Sequence, residues 1–484
     1  MIDFFNYSLK EPWFFTNYSF LQVLGIFLIL YGLLCNHNLF RKLFLIAFSL
    51  FFYYKSSGPY IGIFVAMIIL DYNIALYLER LQTQWARKLL LSISIVLSLS
   101  FLLYFKYSGF LADILNQITH AGFRIDTLFL PIGISFYTFQ SISYIVDVYT
   151  KKIPSSNSFV DYAFYMTFFP HLVAGPIVRA KDFIPQVNQP MELTKKIWSE
   201  GFFRIAIGLT KKLLFADFLA KYVDMVHTNP SLYSGFENLM SMYAYTFQIY
   251  FDFSGYSDIA IGIAILLGYR LKENFDNPYR STNITEFWRK WHISLSSWLK
   301  DYIYIPLGGN RKGKVNTYLF LLITMTIGGI WHGANWKFIV WGIAHGLALA
   351  IHKLFVSYLQ KKNITNPSIW STLWSGLLTF HLVALLWILF RAESFQTAFS
   401  SMEIMWSNTN LSDAIGFYVA RKEFVYLFLF SAVVIFSPSI FKLKLAKWFE
   451  SMPFILVLIV FLCLLQLILQ FKSQEIQPFI YFQF

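Results

Sequence analysis

Apolar stretches of membrane-spanning length recur along the whole chain, and they constrain its fold more than any other feature. A transmembrane helix needs about 20 largely apolar residues, with about 17 as a lower limit. The apolar stretches lie at 21–35, 43–54, 60–78, 89–105, 128–146, 240–268, 317–331, 336–351, 369–390, 424–441 and 453–471. Charged residues make up only 13% of the chain, against about 25% in soluble domains. We therefore predict one all-α, polytopic membrane domain over residues 1–484, with about 10–12 crossing helices plus re-entrant and interfacial helices.

The distribution of basic residues predicts the orientation of the chain. Lys and Arg collect in the cytoplasmic loops of membrane proteins. Near the N-terminus they follow every second apolar stretch, as Arg41, Lys42, Arg80, Arg87, Lys88, Lys151 and Lys152. Lys442, Lys444 and Lys447 precede the last stretch, so both termini, including the tail 473–484, are predicted to be extracytoplasmic. Because the net charge of +13 resides in these loops, we predict no nucleic-acid partner.

The segment at about 270–316 is predicted to be a cytoplasmic, basic and amphipathic surface. Between residues 270 and 314 it carries nine Lys and Arg against four acidic residues. Apolar residues recur there at steps of three and four between 284 and 302, which is the period of an amphipathic helix. Asn283, three residues before Glu286, is typical of a helix start. We expect one interfacial helix with His292 on its apolar side.

Two histidines in apolar surroundings are the candidate catalytic groups. His332 lies in TIGGIWHGANWKFIVWG (326–342), between glycines, and a neutral imidazole can take a proton from an attacking hydroxyl near neutral pH. A structural histidine that hydrogen-bonds across helices is the alternative for His332. For His292 the alternative is a residue that only fills an amphipathic face.

Other polar residues within apolar sequence have simpler interpretations. His345 and His352 lack the close spacing of metal ligands, so we predict no metal site. Asp252 and Asp258 are read as structural groups, because nothing beside them marks a proton path. The prolines within 164–180 predict a re-entrant element whose irregular backbone is buried.

Several motifs together resemble the membrane-bound O-acyltransferase (MBOAT) family, and in particular its bacterial branch that contains the alginate O-acetylation protein. The resemblance covers nearly the whole chain. The motifs are EFWRKWHISLSSWLKDYIYIPLGGNRKG, IGGIWHGANWKFIVWGIAHG, PIGISFYTFQSISYIVDVY (131–149), FFPHLVAGPIVR (168–179), YTFQIYFDFSGYSDIAIGIAILLGYRLKENFDNPYRS (245–281) and WILFRAESF (387–395).

The resemblance implies a disc of tilted helices pierced by a central tunnel. His332 matches the catalytic histidine of the family, and His292 matches its second signature position, which is His or Asn. The implied acyl donor is cytoplasmic acetyl-CoA, with no permanently bound cofactor. The donor phosphates would be attracted by a basic surface. Its residues are Arg289, Lys290, Arg311, Lys312 and Lys314.

The last six residues, FIYFQF (479–484), resemble an FxYxxF tail of bacterial MBOAT systems. In those systems the tyrosine is proposed to carry the acyl group, which here would be Tyr481. An aromatic tail packed at the membrane interface is the alternative.

The predicted function is transfer of acetyl groups from cytoplasmic acetyl-CoA toward an extracytoplasmic glycan such as alginate or peptidoglycan. The predicted location is the bacterial inner membrane, in contact with lipid, and the predicted partner is an extracytoplasmic SGNH-type acetyltransferase. One alternative is a D-alanyl transferase of the teichoic-acid type, whose donor is a carrier protein. The other is a transporter or flippase without bond chemistry, although no internal repeat of the transporter kind is evident.

Overall fold

The chain is built from α-helices. A computed structural model describes residues 6–8, 12–123, 129–173, 175–192, 194–363, 368–410, 412–472 and 479–480, and these residues contain no β-strand. The helices are α1 (Tyr18–Leu33), α2 (Asn38–Ser57), α3 (Ile61–Arg80), α4 (Gln84–Leu102), α5 (Ser108–Thr119), α6 (Ile134–Tyr149), α7 (Phe159–Thr167), α8 (Phe169–Leu172), α9 (Ala180–Val187), α10 (Lys195–Leu209), α11 (Asp217–Thr228), α12 (Gly235–Leu266), α13 (Ile284–Lys290), α14 (Ile293–Leu299), α15 (Ile305–Leu307), α16 (Lys314–His332), α17 (Trp336–Lys361), α18 (Ile369–Arg391), α19 (Phe395–Ser407), α20 (Ser412–Ala420), α21 (Lys422–Phe436), α22 (Ser439–Ser451) and α23 (Phe454–Phe471).

Short helices of other types occur between them. In the part of the chain that the structure describes, three are π-helical, at Leu103–Tyr107, Thr210–Ala216 and Lys300–Tyr304. Three are 3₁₀ turns, at Gly58–Tyr60, Pro230–Leu232 and Pro278–Arg280. The prediction of an all-α polytopic membrane protein is confirmed.

Within the described residues, seven helices are long and apolar enough to cross a membrane, and the pair α21–α22, bent by 88°, would make an eighth. One of the seven, Asn38–Arg80, contains both α2 and α3. Each of these has 20 residues, enough for about 30 Å. Other apolar stretches form shorter helices, such as α1 and α6 with 16 residues each. The sequence-based number of about 10–12 crossings counts such stretches as spans.

The chain divides into two compact units. Unit 1 comprises Met1–Ile205 and Ile259–Lys272, and unit 2 comprises Ala206–Asp258 and Glu273–Phe484. In unit 1 the described residues of the proline-containing segment 164–180 are buried, and those at 175–179 form no helix. The Tyr165 hydroxyl donates to the Val178 carbonyl at 2.9 Å. Also in unit 1, the Lys42 ammonium lies 2.6 Å from the Asp161 carboxylate. All five predicted donor-binding residues and both predicted catalytic histidines, His292 and His332, belong to unit 2.

Helices α16 and α17 form a hairpin in unit 2. The two helices meet at glycines: a Cβ atom on Gly329 would lie 3.1 Å from the Gly342 Cα and would overlap the Phe338 carbonyl oxygen. Small residues at a helix interface let two backbones approach this closely. The hairpin therefore fixes the C-terminus of α16, where His332 lies, against the first turns of α17.

Candidate active site

His332 is the last residue of α16 and is enclosed by aromatic rings. Its side chain is buried, with 3% of the residue exposed. The rings of Trp331, Trp341 and Phe390 lie around it at centroid distances of 5.1, 5.1 and 5.2 Å. Such a site excludes most water, which protects a reactive acyl group from hydrolysis and strengthens electrostatic interactions.

The turn after His332 is held by a helix cap and a buried lysine. The Asn335 side chain accepts a hydrogen bond from the Lys337 amide at 3.0 Å, as N-cap residues do. The Lys337 ammonium donates to the Ala392 carbonyl at 2.5 Å, just after α18. These contacts tie the hairpin turn to the end of α18, which supplies Phe390 to the cage around His332.

His292 lies at a break between two helices, so the expectation of one continuous interfacial helix is wrong. Helix α13 starts after Asn283 as predicted, and the Asn283 side chain accepts from the Glu286 amide at 2.9 Å. His292 itself has φ 43° and ψ 57°, the left-handed conformation, and is fully buried. For a residue other than glycine this conformation costs about 1–3 kcal/mol, and it persists only where the surroundings impose it.

The break at His292 is imposed by Asn274. The Asn274 carbonyl accepts from the Ile293 amide at 2.9 Å, and its side-chain oxygen accepts from the Ser294 amide at 3.2 Å and the Ser294 hydroxyl at 2.9 Å. Its side-chain nitrogen donates to the Ser257 hydroxyl at 3.4 Å. Asn274 is fully buried, so this network links the start of α14 to α12.

The two predicted histidines belong to one aromatic cluster. The His292 ring packs edge-on against Phe253 at 4.6 Å and lies 6.0 Å from Trp331, the neighbour of His332 in sequence. Burial lowers the pKa of His292 to about 3. His292 is therefore neutral at neutral pH and can position a polar group without carrying charge.

A third buried histidine, His345, joins this cluster, and sequence reasoning did not assign it to the site. It accepts a hydrogen bond from the Trp288 indole at its Nδ1, at 3.3 Å, and its ring lies 4.6 Å from Trp341. His352, two turns further along α17, bonds the Thr285 hydroxyl through its Nδ1 at 2.9 Å. In the described parts of the chain, no group of three or more His, Cys, Asp or Glu side chains is placed to hold a metal ion.

The predicted donor-binding residues lie mostly at the surface. Arg289, Arg311, Lys312 and Lys314 are exposed, while Lys290 is half-buried and pairs with Glu286 at 2.8 Å. Their supporting elements meet at one turn of α17. There His352 contacts Thr285 of α13, and Lys353 donates to Asn310 at 2.5 Å. The described contacts of Arg289, Arg311, Lys312 and Lys314 include no acidic partner. Exposed cations of this kind attract a phosphorylated ligand.

The carboxylates of Asp252 and Asp258, within the apolar helix α12, are ion-paired. Lys211 lies 2.7 Å from Asp258, and Lys212 lies 2.5 Å from Asp252. Both lysines belong to the π-helical segment Thr210–Ala216, which packs close to Gly255: a Cβ atom there would lie 3.0 Å from the Lys211 Cβ and 3.1 Å from the Lys212 amide nitrogen. The sequence indicated a structural role for Asp252 and Asp258 but did not identify these lysine partners.

Two described residues near the end of the chain are buried in unit 2. Phe479 and Ile480 are each 2% exposed. The Phe479 ring lies 5.4 Å from Phe253 and 4.7 Å from Tyr256, both on α12. The Ile480 amide donates to the second oxygen of the Asp252 carboxylate at 2.9 Å. Tyr481, the predicted acyl carrier, follows directly in sequence but lies outside the described residues.

Comparison with known proteins identifies the class. Residues 148–392 match the family model of MBOAT, the membrane-bound O-acyltransferase family. The chain is 39% identical to the probable alginate O-acetylase AlgI of Pseudomonas putida, over 97% of this chain and 100% of that protein. It is 36% identical to the peptidoglycan O-acetyltransferase of Helicobacter pylori, over 80% of this chain and 78% of that protein. The teichoic acid D-alanyltransferase of Bacillus subtilis is more distant, at 27% identity over 54% of this chain and 69% of that protein.

The chain thus belongs to the MBOAT family. It is a multi-pass membrane enzyme that transfers acyl groups to oxygen. The resemblance expected from the motifs around His292 and His332 is confirmed at the level of the family.

Replacement of His292 is expected to separate its chemical role from its backbone role. His292→Ala removes the imidazole and places alanine in a left-handed conformation, so we expect acyl-donor turnover to fall roughly 10-fold or more. His292→Asn should retain more activity, because asparagine tolerates this conformation and keeps a hydrogen-bonding side chain. The measurement is turnover per unit of membrane-inserted enzyme. Wild-type turnover in His292→Ala would contradict the assignment.

Proposed function

We propose that this enzyme moves acetyl groups from cytoplasmic acetyl-CoA to an extracytoplasmic glycan, with Tyr481 as the carrier. The observation that carries the proposal is the burial of Phe479 and Ile480, with the Phe479 ring against Phe253, whose ring contacts His292. The residue directly before Tyr481 is thus held in the same unit as both candidate catalytic histidines. The alginate and peptidoglycan substrates in the names of two relatives support acetate as the acyl group and a polysaccharide as the final acceptor.

The proposed first step is transfer from sulfur to oxygen. His332 removes the proton from the Tyr481 hydroxyl, whose ordinary pKa is about 10 and which is a poor nucleophile while protonated. The phenolate oxygen attacks the thioester carbonyl, a C–O bond forms, and the C–S bond breaks. The leaving thiolate of coenzyme A recovers a proton from the imidazolium of His332, so charge and protons balance.

The proposed second step occurs outside the membrane. An aryl ester is a reactive acyl donor, so an extracytoplasmic SGNH-type acetyltransferase can take the acetyl group from Tyr481 and pass it to the glycan. Coenzyme A remains on the cytoplasmic side, because a multiply charged molecule does not cross the hydrocarbon core. This scheme assigns the chain to the bacterial inner membrane with both termini extracytoplasmic, as the basic loops predict.

The function is tested by supplying one donor at a time to purified enzyme in proteoliposomes. We expect acetyl-CoA to support release of free coenzyme A thiol and acetylation of the enzyme. A D-alanyl carrier protein, the donor expected of a teichoic-acid-type enzyme, should support neither reaction. Activity with the carrier protein alone would show that the transferred group is D-alanine and not acetate. Movement of an acylated molecule without thiol release would identify a transporter.

Binding of acetyl-CoA is expected to weaken as salt increases. Arg289, Arg311, Lys312 and Lys314 are exposed, and the screening length of exposed charges falls from about 10 Å at 0.1 M salt to about 3 Å at 1 M. The apparent KM for acetyl-CoA should therefore rise with salt and with Arg311→Gln or Lys312→Gln, while kcat changes little. Lys447→Gln, which lies outside this surface, is the control. A salt-independent KM would contradict donor recruitment by these residues.

A further inference from the structure

We propose that the buried cluster of Lys212, Asp217 and Asp252 is an anchor for the C-terminal tail, with Asp252 acting as a positioning residue for Tyr481. The proposal rests on the proposed function in one respect only: the purpose of the anchor is to present the tyrosine to the histidines. Docking of the tail on Asp252 can be tested independently of acyl transfer.

The two oxygens of Asp252 have different partners. Oδ1 lies 2.5 Å from the Lys212 ammonium, and Oδ2 accepts the Ile480 amide at 2.9 Å. The Lys212 ammonium also lies 2.8 Å from Asp217 Oδ1. Lys212, Asp217 and Asp252 are each 2% exposed, so the cluster is removed from water.

This arrangement makes the hydrogen bond to the tail strong. A buried carboxylate needs an opposite charge to remain ionised, and Lys212 supplies it. A hydrogen bond to an ionised acceptor is roughly twice as strong as one between neutral groups. Asp217, on the next helical segment, gives the Lys212 ammonium a second contact and holds it in place. The cluster therefore maintains a charged acceptor at the point where the tail amide arrives.

The hydrogen bond to Asp252 fixes which residue of the tail lies at the anchor. The amide that Asp252 binds belongs to the residue directly before Tyr481, and consecutive Cα atoms are about 3.8 Å apart. Phe479, on the other side of that amide, packs against Phe253 and Tyr256. Residues 252, 253 and 256 of α12 thus form one tail-binding surface, which contacts the tail backbone at one point and an aromatic side chain at another.

The tail-binding surface is connected to His292 through the ring of Phe253, which contacts both. Phe253 contacts Phe479 at 5.4 Å and His292 at 4.6 Å. Ser257, one turn further along α12, accepts from Asn274, which holds the break at His292. Helix α12 therefore positions both the tail and one of the candidate catalytic histidines.

The first test measures whether the tail dissociates from the tail-binding surface. In full-length enzyme with Cys35 and Cys463 replaced by serine, Ile480→Cys keeps the backbone amide and places a thiol at a buried position. We expect slow labelling by a membrane-permeant maleimide when Asp252 is intact, and labelling roughly 10-fold faster or more with Asp252→Ala. Asp252→Asn, which keeps an acceptor oxygen but loses the charge, should give a smaller increase. Equal labelling rates with aspartate and alanine would overturn the anchor.

A matched variant separates anchoring from general loss of stability. Asp161→Asn disrupts the partly buried Lys42–Asp161 pair of unit 1, and it should leave labelling of Ile480→Cys unchanged. If Asp161→Asn accelerates labelling as much as Asp252→Ala does, the effect is global and the proposal fails. If Asp252→Ala does not accumulate in membranes, the same comparison is made between Asp252→Asn and Asp161→Asn.

The second test measures catalysis in the same variants. Loss of the anchor should lower kcat roughly 10-fold or more and leave the KM for acetyl-CoA unchanged, because the donor site remains intact. A rise in KM with unchanged kcat would overturn the positioning role. Faster labelling in Asp252→Ala, combined with full activity of Tyr481→Phe, would retain the anchor and reject Tyr481 as the carrier, so the two proposals fail separately.

Discussion

Replacing His332 with alanine is expected to lower acyl transfer by roughly 10²–10⁴-fold, the range for loss of a general base. The imidazole lies at the end of α16, within a cage of Trp331, Trp341 and Phe390. In such surroundings water cannot readily replace the base. The hydroxyl that attacks the thioester would then remain protonated, and the thiolate would leave without a proton donor.

The measurement is release of coenzyme A thiol and acetylation of the glycan, each normalised to the amount of enzyme in the membrane. His381→Gln is the control, because His381 is an exposed histidine of α18 that contacts the Tyr243 hydroxyl at 2.9 Å. It should retain nearly full activity. Activity of His332→Ala within a few-fold of that control would show that another group removes the proton.

The sequence predicted the apolar surroundings of His292 and His332 better than it predicted the local backbone geometry. The period of apolar residues between 284 and 302 fits a continuous helix, and nothing in that pattern marks a break. The break at His292 depends on Asn274, whose side chain reaches across from an earlier segment. Local pattern identifies which residues face the interior, but a tertiary hydrogen bond decides where the backbone turns.

The ion pairs of Asp252 and Asp258 could not be predicted from the sequence for a related reason. In the sequence Asp252 and Asp258 are isolated acids, because Lys211 and Lys212 lie about 40 residues earlier in the chain. Their pairing requires close contact between the π-helical segment and α12 at Gly255. Burial of Phe479 and Ile480 was equally invisible, since an aromatic tail has the same composition at a membrane interface and inside a protein.

Replacing Tyr481 with phenylalanine is expected to abolish glycan acetylation, with a loss of roughly 10²-fold or more, because the covalent carrier is removed. The ring is retained, and so is the backbone amide of Ile480 that binds Asp252. Anchoring of the tail should therefore be unchanged, and only the oxygen is missing. The measurement is glycan acetylation in cells, together with mass analysis of the enzyme incubated with acetyl-CoA. Tyr426→Phe, which removes an exposed hydroxyl bonded to Tyr418, is the control and should remain active.

The mass measurement distinguishes a carrier from a docking element. If Tyr481 carries the acyl group, wild-type enzyme incubated without its extracytoplasmic partner should gain one acetyl group on the C-terminal peptide, and Tyr481→Phe should gain none. If the tail only docks the partner, neither enzyme gains mass there, and Tyr481→Phe acetylates glycan normally. The phenol would then have no acceptor role, and His332 would have to activate a hydroxyl supplied by the partner or by the glycan itself. Because the Asp252 anchor acts on the backbone, it would still set how far such a tail enters the site.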